Sequence, residues 1–402
     1  MTLKISERIV VVGGSLAGLR AMEALRGRGY AGEIIAVCAE AEMPYDRPPL
    51  SKQFLKGAWD EDRLSLGRDG FGGLEVDWRL GCSAESLDPR ARELRLSDGS
   101  TLGYGGLLIA TGSTPRTLPG APRLEGMHVL RNLADARALR ADLQAGSRLL
   151  VIGAGFIGME VAASARELGL EVTVAEALPS ALARGLGDEL GGWVAGRFSD
   201  HGVDIRCGVG VKNFLGDSRV EGVELVDGTR LAADLVVIGI GVEPACAWAR
   251  GSGLDLGNGI LCDGNGATSL PGVVAAGDVA RWYNPVYGDA IRYEHWTSAV
   301  EQSSVAAERL LAGEGPVEPL CQVPYVWSDL FEMRLAIAGD VGGSDAMHVG
   351  QGKLGEDRFL ALFGRKGKLR AAVGMKRPRP LNACRTLIAE GASFDEAVST
   401  HG

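Results

Sequence analysis

The sequence lacks the cysteine spacings that mark a metal site or a disulfide framework. It has seven cysteines in 402 residues, and the two nearest, Cys246 and Cys262, are sixteen positions apart. Zinc sites and dithiol redox motifs need pairs of cysteines separated by about two to four residues. We therefore expect no bound metal ion, no disulfide framework, and the reducing cytoplasm as the location.

Long apolar runs and an excess of positive charge are missing as well. No run approaches the ~18 uncharged residues that a membrane-spanning helix requires. The formal net charge is −9, which disfavours nucleic acid because phosphate backbones are bound by basic surfaces. The first residues lead directly into a strand pattern, without the apolar segment of a signal peptide. We expect no membrane and no nucleic-acid partner.

Two glycine-rich turns are the most informative feature that is present. One reads G-G-S-L-A-G over residues 13–18, and the other reads G-A-G-F-I-G over residues 153–158. Each follows a short apolar run typical of a buried strand. Such a turn brings backbone amides and the positive end of a helix dipole towards a pyrophosphate. Two turns of this kind predict two dinucleotides in one chain, with hydride or electron transfer between them.

The two loops follow this pattern to different degrees. In the first, Gly13 makes the tight turn and Gly18 permits close helix–strand packing, but Ser15 replaces the middle glycine. Its side chain either loosens the backbone approach or adds a hydrogen bond to phosphate. The second loop has all three glycines, and Glu176 follows Gly158 by eighteen residues. A carboxylate there accepts from a ribose 2′-hydroxyl and repels a 2′-phosphate, so NADH is favoured over NADPH.

Two further charged residues bear on these loops. Glu40 ends the strand that follows the first loop, where it is the expected partner of an adenosine ribose; a merely solvated carboxylate is the alternative. Arg184 lies eight residues past Glu176 and leaves some use of NADPH open.

Apolar runs and helical patterns alternate along the chain, which is typical of an α/β protein. We expect two Rossmann-like nucleotide-binding domains of the glutathione reductase type, one inserted in the other, and a C-terminal α+β domain. The outer domain takes residues 1–113 and 241–318, the inserted domain residues 114–240, and the C-terminal interface domain residues 319–402. The predicted strands are residues 8–12, 33–38, 107–112, 148–152, 171–175, 235–241 and 273–278, and the predicted helices are residues 16–27, 156–168 and about 296–311.

Five short motifs resemble those of a known family. They are residues 44–52 (P-Y-D-R-P-P-L-S-K), 110–112 (A-T-G), 276–279 (A-G-D-V), 294–296 (E-H-W) and 323–329 (V-P-Y-V-W-S-D). With the two glycine loops, they resemble the FAD-dependent, NAD(P)H-using ferredoxin reductases that serve bacterial oxygenases, the putidaredoxin reductase and rhodocoxin reductase group. The resemblance covers essentially the whole chain. It implies that the outer domain binds FAD and the inserted domain binds NADH.

The resemblance also implies roles for individual residues. It puts Lys52 beside the flavin N5 atom, which receives hydride from the nicotinamide, in an ion pair with Glu160. An ordinary salt bridge between domains is the alternative. Arg47 is expected at the FAD pyrophosphate or adenine, with a surface ion pair as the alternative. Arg131 and Asp278 are expected to contact FAD as well, Asp278 at the ribityl chain.

The implied reaction is oxidation of NADH by FAD, followed by one-electron transfers to a small 2Fe–2S ferredoxin. That ferredoxin would feed a haem-thiolate monooxygenase or a Rieske oxygenase. The expected exit face is Trp327 with the basic cluster between Arg365 and Arg379, although such a cluster can also be a solvated hairpin face. The oligomeric state is left open between a monomer and a weak dimer.

Other flavoproteins with two nucleotide loops are weighed by their further requirements. Flavin disulfide reductases need a reactive cysteine pair, and peroxidase or coenzyme A disulfide reductase relatives need a single redox cysteine after the first acidic residue; neither is found here. A membrane quinone reductase would need an amphipathic C-terminal anchor, and this chain ends in a short, weakly apolar segment. Two alternatives stay open: a monodehydroascorbate-type reductase and an NADH-sensing flavoprotein of the apoptosis-inducing-factor type.

The candidate site residues form one catalytic pair and a larger set of cofactor contacts. The pair is Lys52 and Glu160. The helix that follows residues 294–296 is expected to stabilise the reduced flavin with its dipole. The expected FAD and NADH contacts are Gly13, Ser15, Ala17, Gly18, Glu40, Arg47, Lys52, Ala84, Thr111, Gly112, Arg131, Gly153, Gly155, Phe156, Ile157, Gly158, Glu160, Glu176, Arg184, Gly241, Asp278, Glu294, His295 and Trp296.

Overall fold

The structure is a computed structural model that describes residues 8–67 and 70–401. The helix of residues Ala183–Asp200 is interrupted at Gly187, whose φ of +74° lies in the left-handed region. The α-helices are α1 Leu16–Gly27, α2 Leu133–Asp142, α3 Phe156–Glu167, α4 Ala183–Asp200, α5 Trp296–Ala312, α6 Pro378–Glu390 and α7 Phe394–His401.

The strands are short, and five of those that the structure describes are buried along their whole length. Those of the first half are β1 Ile9–Val12, β2 Ile34–Cys38, β3 Val76–Leu80, β4 Ala84–Asp88, β5 Glu93–Leu96, β6 Thr101–Gly103, β7 Gly106–Ile109, β8 Ser113–Pro115, β9 Met127–His128, β10 Arg148–Ile152, β11 Glu171–Ala175 and β12 Asp204–Arg206. The others are β13 Val211–Leu215, β14 Gly222–Leu225, β15 Arg230–Ala232, β16 Leu235–Ile238, β17 Val242–Pro244, β18 Leu256–Gly257, β19 Gly259–Cys262, β20 Val273–Ala275, β21 Ala280–Asn284, β22 Asp289–Ile291, β23 Tyr325–Leu330, β24 Met333–Gly339, β25 Ala346–Gln351, β26 Phe359–Arg365 and β27 Lys368–Met375.

The chain divides into two compact units. The first takes the described residues of Met1–Asp46, Ser65–Thr114 and Glu243–Pro324. The second takes those of Arg47–Leu64, Pro115–Val242 and Tyr325–Gly402. The segment that carries Lys52 therefore groups with the second unit. The domain boundaries expected from the sequence stay a prediction.

The first unit is built on a parallel sheet with the strand order β20–β7–β1–β2–β3. Strand β1 lies between β2 and β7 and is buried along its whole length, as is typical of a parallel strand covered on both faces. The chain order reverses at β1, because β2 and β3 follow on one side of it and the later strands β7 and β20 lie on the other. The carboxyl end of β1 is therefore the place where open α/β sheets bind ligands, and the first glycine loop begins there.

The second unit repeats this design. Its parallel sheet has the strand order β12–β11–β10–β16–β9, with β10 between β11 and β16. The second glycine loop connects β10 to α3 at the carboxyl end of that central strand. Both predicted strand–loop–helix–strand units are thus present, and the predicted α/β class is confirmed.

An antiparallel sheet with the order β23–β24–β27–β26–β25 completes the second unit. Its inner face contributes Leu330, Leu335 and Val373 to an apolar cluster that also contains Met159 and Val161 of α3. Burial of this shared apolar surface holds the C-terminal sheet against the nucleotide-type sheet of the same unit.

Candidate functional site

The first glycine loop needs glycine at both ends for steric reasons. At Gly13, φ is +107°, and a Cβ atom would lie 2.2 Å from the carbonyl oxygen of Ala110. At Gly18, a Cβ atom would lie 1.8 Å from the carbonyl oxygen of Gly13. Backbone therefore packs on backbone at two points, and helix α1 begins close to β1.

Sequence reasoning missed a third glycine of this loop. A Cβ atom on Gly14 would lie 2.3 Å from the Sγ atom of Cys38, which ends β2. Burial raises the pKa of the Cys38 thiol to about 12, so it stays a neutral thiol at physiological pH. Cys38 is therefore a packing residue under the loop. The available signal was the doubled glycine in G-G-S, which a turn alone does not require.

The predicted Asp278 lies beside the start of α1. Gly277 has a φ of +77°, and a Cβ atom there would lie 2.9 Å from the Cβ atom of Ala17 in the first turn of that helix. The turn that carries Asp278 therefore packs on the predicted Ala17. The Ser113 hydroxyl donates to Asp278 Oδ2 at 2.9 Å and orients the carboxylate. Ser113 is absent from the sequence-based candidates, although it follows Gly112 directly.

Side-chain hydrogen bonds hold Glu40, Asp46 and Trp296 in the first unit. The Tyr45 hydroxyl donates to Glu40 Oε2, and the Trp296 indole Nε1 donates to Asp46 Oδ1 at 2.9 Å. Trp296 is the first residue of α5, and Ser15 is the N-cap of α1. The P-Y-D part of the 44–52 motif is thus held by polar contacts to an acidic residue and to a helix start.

The remaining predicted residues of the first unit make contacts within the protein. Thr111 Oγ1 donates to the carbonyl of Ala245 at 2.7 Å, and Glu294 forms a 2.7 Å ion pair with Arg292. The ring of His295 stacks on that of Tyr293 with centroids 5.7 Å apart. Ala84, a further predicted residue, begins β4. Gly112, between β7 and β8, has a φ of +71°.

In the second glycine loop, packing requires glycine at two positions but not at the third. Cβ atoms on Gly153 and Gly158 would lie 2.5 Å and 2.2 Å from the carbonyl oxygens of Gly239 and Gly153. The nearest atom to a Cβ on Gly155 is the carbonyl oxygen of Gly239, at 3.9 Å, so packing does not require glycine there. Gly155 is the N-cap of α3. An open backbone at the start of a helix fits a pyrophosphate that approaches closely.

Glu176 follows β11 and holds the loop. Its Oε2 accepts from the Ala154 amide at 2.7 Å, and its Oε1 accepts from the Leu178 amide at 2.8 Å. A carboxylate has about four acceptor positions, so each oxygen keeps one for a ribose hydroxyl. Sequence reasoning identified this residue but missed its backbone partners, which come from the loop itself.

Other predicted contacts of the second loop lie around the start of α4. The Phe156 ring would be 2.8 Å from a Cβ on Gly185, so it packs on the first turn of α4. Arg184 Nη1 lies 3.9 Å from the position of a Cβ on Gly241, which brings two more predicted residues together. Ile157 is 47% exposed, unusual for an isoleucine, next to the glycine loop.

Lys52 and Glu160 form a buried ion pair in the second unit. Lys52 Nζ lies 2.7 Å from Glu160 Oε2, and both side chains are at most 10% exposed. The hydroxyl of Ser51 donates to the same carboxylate oxygen at 2.5 Å, and that of Ser328 donates to Oε1 at 2.6 Å. Two of these four residues were predicted. Ser51 and Ser328 lie within two of the quoted motifs, but nothing in those motifs indicates that their hydroxyl groups bind Glu160, from which Ser328 is separated by 168 positions.

Arg47 and Arg131 also meet within the second unit. Arg47 Nη1 donates to the carbonyl oxygen of Arg131 at 2.7 Å. The Arg131 amide donates to Asp135 Oδ2 at 2.9 Å, and Asn132 caps the start of α2. The structure thus places two predicted FAD contacts side by side near a capped helix start.

All seven cysteines lie in the part of the chain that the structure describes. All seven are free thiols, and burial raises the pKa values of Cys38 and Cys262. Among the residues that the structure describes, no group of histidine, cysteine and acidic side chains could hold a metal ion. Within that same part of the chain, no helix is both long and apolar enough to cross a membrane.

Two family models match the chain in succession. The model described as pyridine nucleotide-disulphide oxidoreductase matches residues 7–303, and the model described as reductase C-terminal matches residues 325–400.

Known relatives are similar over almost the full chain. The ferredoxin reductase component of a chlorobenzene dioxygenase from Cupriavidus sp. (strain PS12) is 36% identical, covering 97% of this chain and 94% of the relative. Rhodocoxin reductase from Rhodococcus erythropolis is also 36% identical, covering 95% of this chain and 89% of the relative. Among solved structures, the covalent putidaredoxin reductase–putidaredoxin complex contains a similar chain: the TM-score is 0.91 at 33% identity, with coverage of 96% of this chain and 93% of that one.

Proposed function

Because the chain belongs to the pyridine nucleotide-disulphide oxidoreductase family, we propose that it passes electrons from NADH through FAD to a small 2Fe–2S ferredoxin. The resemblance to ferredoxin reductases that the sequence motifs predict is confirmed by relatives of that name over most of the chain. The acceptor protein would supply a haem-thiolate monooxygenase or a Rieske oxygenase. The pair of glycine loops, each with its own acidic residue, is the observation that carries the proposal.

The first unit suits the FAD dinucleotide. Gly13 and Gly18 bring the backbone of the loop to the start of α1, where the helix dipole favours phosphate. We propose that Ser15 adds a hydroxyl there, that Glu40 accepts from the adenosine ribose, and that Asp278 binds the ribityl chain. When bound, FAD accepts a hydride and gives up its electrons one at a time.

The second unit suits NADH. Gly155 leaves the backbone open at the start of α3, and Glu176 presents one acceptor position on each carboxylate oxygen. A 2′-phosphate would meet this negative charge, so we propose a preference for NADH. Arg184 lies in the first turn of α4, and we propose it as the nucleotide contact that permits some use of NADPH.

Lys52 and Glu160 are proposed as the catalytic pair. A buried lysine stabilises negative charge that develops near it, because the surroundings screen the charge weakly. Glu160 offsets the cost of burying the ammonium group and holds it in one position. Arg47 and Arg131 are proposed as further FAD contacts.

The C-terminal sheet is proposed as the place where electrons leave. Six of the seven basic residues of the cluster form two groups at opposite ends of β27, with Arg370 on the strand between them: Arg365, Lys366 and Lys368 at one end, and Lys376, Arg377 and Arg379 at the other. Seven residue steps of roughly 3.3 Å separate the strand ends by about 23 Å. Trp327 is paired with Ala336, which is paired with Gly374 near the second end. We therefore propose that an acidic ferredoxin docks by the second group.

The domain division and the location are proposals too. We propose an FAD-binding domain of residues 1–113 and 241–318, an NADH-binding domain of residues 114–240, and an interface domain of residues 319–402. A cytoplasmic location is supported by the seven free thiols and by the need for NADH.

Reduction of cytochrome c by NADH tests the proposal. The FAD-loaded protein is assayed with and without a 2Fe–2S ferredoxin, and ferricyanide serves as the control acceptor. We expect fast ferricyanide reduction, cytochrome c reduction that depends on ferredoxin, and a lower KM for NADH than for NADPH. Fast ferricyanide reduction without any effect of ferredoxins would contradict the proposal that a ferredoxin accepts the electrons. A long-lived charge-transfer complex that reoxidises slowly would indicate an NADH sensor instead.

A further inference from the structure

Side chains from separate segments of the second unit hold the two carboxylate oxygens of Glu160. Oε2 accepts from Ser51 and Lys52, which neighbour each other in the chain. Oε1 accepts from Ser328, which lies in β23 of the C-terminal sheet. The carboxylate is thus fixed from both sides, and the C-terminal sheet supplies the contact to Oε1.

Ser328 is a polar residue on an apolar strand face. Alternate residues of a strand point to the same side, so Ser328 has the same orientation as Val326 and Leu330. Both of these pack in the apolar cluster that contains Val161 of α3. Ser328 is only 1% exposed, and burial of a hydroxyl is costly unless it has a hydrogen-bond partner. Glu160 is that partner.

We infer that Ser328 is a positioning residue that acts on Lys52 through Glu160. The last torsion of a glutamate side chain is broad, so a carboxylate without fixed partners rotates readily. The Ser328 hydroxyl fixes Oε1 and, together with the Ser51 hydroxyl on Oε2, directs Oε2 towards Lys52 Nζ. The inference rests on the proposed role of the Lys52–Glu160 pair in flavin reduction.

Stopped-flow reduction of the FAD-loaded protein by NADH, combined with the midpoint potential of the bound FAD, tests this role. We expect Ser328→Ala to lower the limiting reduction rate about tenfold and to move the potential to more negative values, because Lys52 loses its fixed position. The apparent Kd for NADH should stay within about twofold. Ser328→Thr should restore both readouts because threonine keeps the hydroxyl and suits a strand.

Further variants separate positioning from loss of structure. Ser328→Cys keeps a side chain of similar shape with only a weak donor, and it should behave like Ser328→Ala. The control is Ser344→Ala, since the Ser344 hydroxyl donates to the carbonyl of Val341 in the same C-terminal segment. This control should change neither the rate nor the potential.

The decisive variant combines Ser328→Ala with Glu160→Gln. If Ser328 acts through Glu160, the combination reduces FAD no more slowly than Glu160→Gln alone. Additive losses, or a failure of Ser328→Thr to restore the rate, would overturn the inference. If Glu160→Gln reduces FAD slowly and Ser328→Ala reduces it at the natural rate, the role of Ser328 is overturned and the role of the Lys52–Glu160 pair stands. Unchanged rates in both would overturn the role of the pair, and the inference with it.

Discussion

Lys52 Nζ lies 2.7 Å from Glu160 Oε2 in a region where both side chains are nearly excluded from solvent. Four residues further along, Lys56 Nζ forms a 2.6 Å pair with Glu167, but those side chains are 35% and 37% exposed. The two pairs have similar geometry and differ in burial. They therefore offer a matched comparison of a buried and an exposed ion pair within one short segment.

Replacing Lys52 by methionine should impair both catalysis and stability. The variant leaves the buried Glu160 carboxylate without a counter-ion, which costs about 3 kcal/mol of unfolding free energy. Flavin reduction by NADH should slow about a hundredfold because a charge that stabilises the reduced ring is lost. Stopped-flow absorbance and urea unfolding measure the two effects. Lys56→Met, the control, should change stability by less than about 1 kcal/mol. An unchanged reduction rate in Lys52→Met would remove its catalytic role.

Replacing Glu176 by glutamine should weaken NADH binding. The neutral amide is a poorer acceptor for ribose hydroxyls, so the Kd for NADH should rise about tenfold, whereas the Kd for NADPH should not rise. The glutamine NH2 would also face the amide of Ala154 or Leu178, which lowers the unfolding temperature. Equilibrium titration with both nucleotides measures the preference. Glu171→Gln, an exposed change at the start of the strand that precedes Glu176, is the control. Equal weakening for NADH and NADPH would contradict a role in selecting the 2′-hydroxyl.

The Cys38 thiol should make the folded state less stable at high pH. Burial raises its pKa from the ordinary 9.0 to about 12, so between these values the unfolded chain loses a proton that the folded protein keeps. The contribution is fully present below pH 9 and is lost as pH rises towards 12, by about 1.4 kcal/mol per pH unit. Urea unfolding at pH 8, 9, 10 and 11 should show a steeper fall for the natural protein than for Cys38→Ala. Parallel curves would show that this thiol does not titrate as its burial implies.

Neutralising the second basic group, at the Lys376 end of β27, should weaken ferredoxin binding. We expect Lys376→Gln with Arg379→Gln to raise the KM for a ferredoxin about fivefold at low ionic strength, and less in 0.15 M salt, where screening shortens the reach of charges. The control is Lys366→Gln with Lys368→Gln at the other end of β27, which removes the same charge. A larger effect of the control pair would move the docking site to the hairpin end.

Local patterns predicted the nucleotide-type elements well because their causes are local. A buried parallel strand is a continuous apolar run, and a helix start at a phosphate site needs glycines at fixed offsets. The predicted strand of residues 107–112 nevertheless ends at Ile109, and that of residues 235–241 ends at Ile238. In both, the last residues form the turn beside a glycine loop, where a backbone contact ends the ladder.

Apart from the Lys52–Glu160 pair, which the family resemblance implies, contacts between distant residues were beyond the sequence patterns. No sequence pattern around Glu160 indicates that Ser328 is its partner, because their hydrogen bond depends on how β23 packs against α3. The link between Gly14 and Cys38 likewise depends on the spacing of β1 and β2. The basic cluster is a related case: residues 365–379 are neighbours in the sequence, but the extended strand β27 separates most of their charges into two groups.

The shared core of α3 and the C-terminal sheet limits how far this chain is modular. Residues 325–401 look like a separable appendage, yet β23 completes both the apolar packing of α3 and the hydrogen bonding of Glu160. A chimera that takes its C-terminal sheet from another reductase, to redirect electrons to a new acceptor, would also replace the donor to Glu160. A change of the C-terminal sheet that is meant to alter the electron acceptor would therefore also alter flavin reduction. Such a graft should retain a hydroxyl side chain at position 328.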